Sequence, residues 1–167
     1  MPEVNSKKIA VIGAGPSGIV SAKYSKENGL EPTIFEMSDS IAGLWSPKTQ
    51  TAIWPGLTSN VSCYFMAFSD HPYPKDAPIF SGKQEVYNYL MSYMEKFDLL
   101  NHLRLNTKVV GLNQMSDKRW SLEYLQSDGE RRTEIYDFVS IASGLHESPN
   151  LPEVKGKSSF KGNYLKL

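Results

Sequence analysis

The apolar positions change rhythm several times along the chain, and each change predicts an element. Ile9 to Ile12 is a continuous apolar run, the pattern of a strand buried on both faces of a parallel sheet. It ends on Gly13, Gly15 and Gly18. A helix is predicted from about Pro16 and Ser17, with Val20 and Tyr24 at helical spacing and Asn28-Gly29 as its stop. A second strand runs from Pro32 to Phe35 and closes on Glu36. From Lys83 the rhythm is helical again, with Val86, Leu90, Tyr93, Met94 and Phe97 marking one face that belongs in a core. Thr107 to Leu112, Arg119 to Leu125 and Thr133 to Tyr136 read as strands separated by polar turns, which predicts an antiparallel meander. Phe138 to Ala142 repeats the buried-strand pattern before a Gly/Pro-rich exit.

One segment has no rhythm. Ser38 to about Gly82 is rich in Pro, Gly, Ser and aromatic residues, including "AIWPGLTSN" and "FMAFSDHPYPKDAPIF". Long irregular segments inside compact domains are functional or disordered. Trp45, Trp54, Tyr64, Phe65, Phe68, Tyr73 and Phe80 argue for an ordered loop wrapped around something.

The alternation of strand, turn, helix and strand gives the glycines a chemical meaning. In a G-x-G-x-x-G turn the first glycine allows the bend, the second lets backbone approach a pyrophosphate, and the third lets helix and strand lie close. The helix N-terminus then faces the phosphates. Glu36 follows Gly18 by 18 residues, close to the ~20 expected of a carboxylate that accepts from ribose hydroxyls. A dinucleotide is therefore expected in this turn, a glycine turn that only packs being the alternative. No second G-x-G-x-x-G follows.

Composition narrows the classes. A length of 167 residues suits one domain with a real core. Lys plus Arg and Asp plus Glu both number 18, and no block of like charge offers a nucleic-acid or polybasic membrane surface. Cys63 is the sole cysteine, so an internal disulfide is excluded and a thiolate metal site is not expected. His71, His102 and His146 show no ligand spacing, so no metal is expected. The opening "MPEVNSKK" lacks the apolar core of a signal peptide. No apolar run approaches the ~18 residues of a membrane span, and a cytoplasmic protein is the expectation.

Several stretches carry a resemblance. "FEMSDSIAGLW" is similar to the glutamate and Gly-Gly-Leu-Trp segment of flavin-containing monooxygenases, with Ala42 where the first of those glycines is usual. "LTSN", Leu57 to Asn60, resembles the family's Thr-Asn, with Ser59 for the threonine; "FMAFSDHPYP" resembles its M-x-F-x-D-x-P-x-P stretch. "SIASGLHESPNLPEVKG" is similar to its Ala-Thr-Gly turn and P-x-x-P-x-x-x-G, with Ser143 replacing the threonine. Agreement runs in order from about residue 7 to 165 and departs at Lys166, where the family has a histidine.

The resemblance implies an α/β fold, a Rossmann-like FAD/NAD(P)-binding domain with a parallel sheet and an antiparallel β-meander in the crossover. It implies an FAD-binding domain over residues 6–150 and, in 151–167, the start of a linker towards an NADPH-binding domain absent from the chain. The turn Gly13, Ala14, Gly15, Pro16, Ser17 and Gly18 would take the FAD pyrophosphate, and Glu36 the adenosine ribose. Gly43, Leu44 and Trp45 would lie near the ribityl chain, core packing being the alternative for the last two, and Val109 would offer backbone to adenine. Ser59 and Asn60 would touch NADP(H), with Asn60 as the catalytic residue beside flavin C4a, against the plainer reading of an asparagine in a turn. Asp70 and His71 form no recognisable dyad and are expected to be structural, and Cys63 to be a spectator.

The implied reaction is NADPH- and O2-dependent oxygenation of soft nitrogen or sulfur in a small molecule through a C4a-hydroperoxyflavin. The competing readings are a truncated, non-catalytic FAD-binding module and a flavin reductase-type enzyme of the same superfamily. "AGLW" and "FMAFSDHPYP" speak against the latter.

Overall fold

The computed structural model describes residues 6–48, 54, 56–145 and 152–162. In chain order these form β1 (Lys8–Ile12), α1 (Pro16–Glu27), β2 (Glu31–Phe35), α2 (Cys63–Met66), α3 (Lys83–Lys96), β3 (Leu103–Arg104), β4 (Lys108–Gln114), β5 (Trp120–Leu125), β6 (Arg131–Tyr136) and β7 (Phe138–Ile141). Strands β3, β2, β1 and β7 form a parallel sheet in that order, and β4, β5 and β6 form the antiparallel meander.

Alternating side chains of β1 and β2 serve two layers, as the period of a strand requires. Ile9, Val11 and Ile34 pack with Ile19 and Ala22 of α1 and with Val86, Leu90, Tyr93 and Met94 of α3. On the other side, Ala10 and Phe35 pack with Leu122, Tyr124 and Tyr136 of the meander. The sheet is thus covered by helices on one side and by the meander on the other. The expected stripe of α3 is buried, Phe97 partly so.

Helix α1 departs from its expected stripe. It buries Gly18, Ile19, Ala22 and Lys23, while Tyr24 is 45% exposed and Val20 only partly covered. The inner face therefore lies one position earlier than Val20 and Tyr24 suggest, and it includes a lysine. The two-residue β3 and the single turn of α2 are too short to leave a periodic signal.

The excursion is ordered over its described parts, yet its aromatics divide. Phe68 and Tyr73 pack against the core, whereas Tyr64 is 75% and Phe65 88% exposed. Its middle is fastened to its C-terminal end where Ser59 N donates to Ser81 O at 2.9 Å and Cys63 N to Ile79 O at 2.7 Å. Among the described residues no helix is long and apolar enough to cross a membrane.

Candidate functional site

The C-terminal end of β1 opens directly into the glycine turn. Gly13 has φ 104°, a conformation glycine adopts at no steric cost. Its N donates to Phe35 O at 2.7 Å, and Ala142 N donates to Ile12 O at 2.9 Å, so the turn is held between β2 and the end of β7. A Cβ on Gly13 would overlap the Ala142 carbonyl, and one on Gly18 would overlap the Gly13 carbonyl. Both glycines are demanded by the chain's own backbone.

Gly15 is different. A Cβ there would meet nothing nearer than the Gly43 Cα, 4.0 Å away, so packing does not require a glycine at this position. Gly15 is the N-cap of α1, with Pro16 behind it, no side-chain cap and no acidic residue in the first turn. Among the described residues no side chain caps the positive end of the helix dipole.

Glu36 is 7% exposed, and its carboxylate ties the turn to the start of the excursion. Oε2 accepts from Ala14 N at 2.8 Å, while Oε1 accepts from Ser38 N at 2.9 Å and Ser38 Oγ at 2.8 Å. A carboxylate offers about four acceptor positions. One on Oε2 is left.

The turn at Gly43–Trp45 faces the glycine turn. Ala42 N donates to Ala14 O at 2.8 Å, and a Cβ on Gly43 would lie 3.4 Å from the Gly15 Cα. Ala42 is fully buried with φ 81°, in the left-handed region that an L-residue enters at a cost of roughly 1–2 kcal/mol. Trp45 packs partly into the core beside this turn.

Val109 is linked to this corner through backbone. Thr107 N donates to Glu36 O at 2.8 Å, Asn106 N to Ser38 O at 2.9 Å, and Val109 packs in the cluster that contains Phe35. The pairing of β4 with β5 shifts register between Val109 and Gly111, a bulge of the kind that re-aims a strand. Ser59 is buried, with its Oγ donating to Val61 O at 2.7 Å, and the neighbouring Asn60 is exposed. The segment bearing them bridges Thr58 to Gly82, the N-cap of α3. The structure therefore gathers the glycine turn, Glu36 and Gly43–Trp45 into one corner, with Val109 approaching through β4 and Ser59-Asn60 held at the start of α3.

Sequence reasoning misses the network that holds the excursion to the helices. Tyr89 OH accepts from Phe68 N at 2.7 Å and donates to His71 O at 2.6 Å, and the Tyr73 ring stacks on Tyr89 at 3.9 Å between centroids. Burial pushes the Tyr73 phenol up to about 12. Burial, and then the Lys96 ammonium, hold His71 below its ordinary value against the pull of Asp70, so the ring is neutral near pH 7 beside Ser92 Oγ at 2.9 Å. Asp70 and His71 are tied into this network through Tyr93 and Tyr89, and Cys63 is buried at 2% exposure. The M-x-F-x-D-x-P-x-P stretch is the one signal of this network in the sequence.

Two other features bear on the chemistry. Among the described residues no group of His, Cys, Asp or Glu could hold a metal ion. A recess of about 280 Å³ lined by Ser6, Lys7, Lys8, Arg119 and Asp137 lies at the opposite end of β1 and shares no residue with the glycine corner.

A model of the flavin-binding monooxygenase-like family matches residues 6–167. The chain belongs to that family. The rat N-oxide-forming dimethylaniline monooxygenase 2 is 36% identical over 169 residues, which cover 95% of this chain and 31% of the rat protein. A human putative N-oxide-forming dimethylaniline monooxygenase 6 is 36% identical over 171 residues, covering 96% of this chain and 32% of the human one. The chain thus spans about a third of the length of these curated relatives. Among solved structures, the S-allyl-L-cysteine S-oxygenase of Allium sativum superposes with a TM-score of 0.86 at 26% identity, covering 94% of this chain and 40% of that one. A cyclohexanone monooxygenase variant from Rhodococcus bound to NADP+ gives a TM-score of 0.72 at 28% identity, covering 94% and 30%. The parallel sheet with its antiparallel meander is the fold this chain shares with these two structures.

Proposed function

We propose that residues 6–150 are the FAD-holding domain of a flavin-dependent monooxygenase that uses NADPH and O2 to oxygenate soft nitrogen or sulfur in small molecules. The observation that carries this is the opening at Gly15. It is the glycine of the turn whose missing side chain serves no contact among the described residues, and it lies at an uncapped helix N-terminus opposite Gly43. A pyrophosphate is the ligand such an opening suits.

The residues present fit FAD. Gly13, Ala14, Gly15, Pro16, Ser17 and Gly18 would hold the pyrophosphate, and Gly43, Leu44 and Trp45 would bound the ribityl side. Val109 would present backbone to adenine. Glu36 retains one acceptor position for a ribose hydroxyl, while its other bonds, to Ala14 and Ser38, keep it from rotating away. FAD, when bound, supplies the redox chemistry and the activation of O2. The chain's own part is to bind, orient and exclude water. Ser59 spends its hydroxyl on Val61 O, which shapes the turn so that Asn60 is exposed. Asn60 can donate and accept at once and would orient the nicotinamide carboxamide beside the flavin. The names of the relatives, one N-oxide-forming and one an S-oxygenase, support nitrogen and sulfur as targets. The greater length of the curated relatives, of which the chain spans about a third, supports residues 151–167 as the start of a linker to an NADPH-binding domain.

One glycine turn holds one dinucleotide, which favours a second reading for residues 1–167 taken alone: FAD binding without oxygenation. Flavin titration followed by fluorescence tests the first step. FAD should bind more tightly than FMN, which lacks the adenosine half that Glu36 and Val109 would hold, and equal affinities would overturn the assignment. Coupled NADPH consumption and N-oxide formation by these 167 residues alone would overturn the division of labour.

A further inference from the structure

Lys23 is unexplained by cofactor binding or by core packing. It sits on the inner face of α1 at 4% exposure. Its Nζ lies 2.5 Å from Asp70 Oδ2 and 2.7 Å from Glu27 Oε2, and 4.0 Å and 4.9 Å from the ring centroids of Tyr24 and Phe97. Burial opposes the ammonium, but hydrogen bonds to Asp70 and Glu27 outweigh it and raise its pKa. Glu27 belongs to the same helix and is half exposed. Asp70 comes from the excursion, where Tyr93 OH also donates to its Oδ2 at 3.3 Å and Lys96 Nζ donates to its backbone oxygen at 2.6 Å. Asp70 is therefore the point at which the excursion, α1 and α3 meet.

As a stabilising device this pair is poor. Asp70 Oδ1 is buried with no hydrogen-bond partner among the described residues. Desolvation of such a pair consumes much of its attraction, and apolar residues of similar volume often serve stability as well. What it supplies is direction. The stacked and edge-on ring contacts of Phe68, His71 and Tyr73 with Tyr89 and Tyr93, and the Tyr89 hydroxyl bonds, tie the segment to α3, whereas the Lys23–Asp70 pair ties it to α1.

We propose that Lys23 and Asp70 are a positioning pair that fixes the segment from Thr58 to Pro74, which carries Asn60, in one place relative to α1. Lys23 lies seven residues beyond Pro16, about 10 Å along the helix axis. The helix whose N-terminus faces the glycine corner is thus also the fixed point for the segment bearing Asn60. The functional consequence rests on the FAD reading; the positioning itself does not.

The test compares the wild-type chain with Lys23→Met, Asp70→Leu and the double variant. Lys23→Met leaves the Asp70 carboxylate without its cation and should lower the melting temperature, Asp70→Leu leaves Lys23 to Glu27 alone and should lower it less, and the double variant should recover most of the larger loss. In the double variant, amide exchange over residues 57–74 should still be about 10-fold faster than in wild type while β1 and β2 exchange normally. The visible circular dichroism of bound FAD should change as well. Wild-type exchange over 57–74 in the double variant, or equal acceleration across β1, β2 and the segment, would overturn the proposal. Altered exchange confined to 57–74 in a chain that binds no FAD would support the positioning and refute the cofactor reading instead.

Discussion

The glycine corner and the aromatic excursion meet in one structure but are held by different means. The corner is closed by backbone against backbone, Gly13 against Ala142, Gly18 against Gly13, and Ala42 N on Ala14 O, with the Glu36 carboxylate added as a tie. The excursion is anchored to the helices by side chains: the hydroxyl of Tyr89, the rings around it, and the Lys23–Asp70 pair. Backbone fitting tolerates no added atom and leaves one residue type as the solution. Side-chain fastening distributes the work, so each piece can be altered at moderate cost.

That contrast can be broken from its largest expected effect downward. Gly18→Ala forces a methyl group into the Gly13 carbonyl and should cost about 4 kcal/mol or more, the range of a severe core clash; a melting temperature near wild type would contradict the close approach. Tyr89→Phe removes a hydroxyl that both accepts from Phe68 N and donates to His71 O, and should cost about 1–3 kcal/mol. Limited proteolysis should then cut the 66–74 stretch while the sheet survives.

Two smaller effects sharpen the picture. Ala42→Gly relieves a left-handed φ of 81°, a relief partly offset by the greater freedom of glycine in the unfolded chain, and should stabilise by up to about 1 kcal/mol. Chemical denaturation would detect it. The smallest effect concerns the meander. Glu134 accepts from Arg104 Nη1 at 2.7 Å, Tyr124 OH at 2.6 Å and Tyr136 OH at 2.7 Å. Burial opposes its charge, but these donors outweigh it and lower the carboxyl from 4.5 to about 2. The folded state thus holds the proton less tightly than the unfolded one. The contribution is complete above about pH 4.5 and is lost as pH falls toward 2. Glu134 is 36% exposed, so screening keeps it small. Glu134→Gln should flatten the stability profile between those values, and an unchanged slope would remove Glu134 from the account of acid unfolding.

The same contrast explains which features are legible in the amino-acid sequence alone. The glycine turn, the run into β1 and Glu36 are legible because only glycine solves a backbone approach and because strand and helix periods bracket it. The departure at Ala42 is legible as a missing glycine, although its left-handed backbone is not. Lys23 is illegible, since a lysine one position from Tyr24 reads as solvated surface until Asp70 is known to reach it. The stripe of α1 is misplaced for that reason. β3 is invisible because two residues show no period. Tyr64 and Phe65 prove exposed because aromatic content signals order without naming the surface that covers it. In the candidate site, Gly15 and Gly13 look alike in sequence, and only the space around each separates a glycine the fold needs from one a ligand would need.

Gly15→Val tests that separation most directly, with thermal melting of the flavin-free chain and FAD titration measured on the same preparation. The account predicts a melting temperature within a few degrees of wild type, because the new side chain enters open space beside Gly43, together with loss of FAD binding. A variant that still binds FAD as wild type does, or one that fails to fold as Gly18→Ala should, would contradict it.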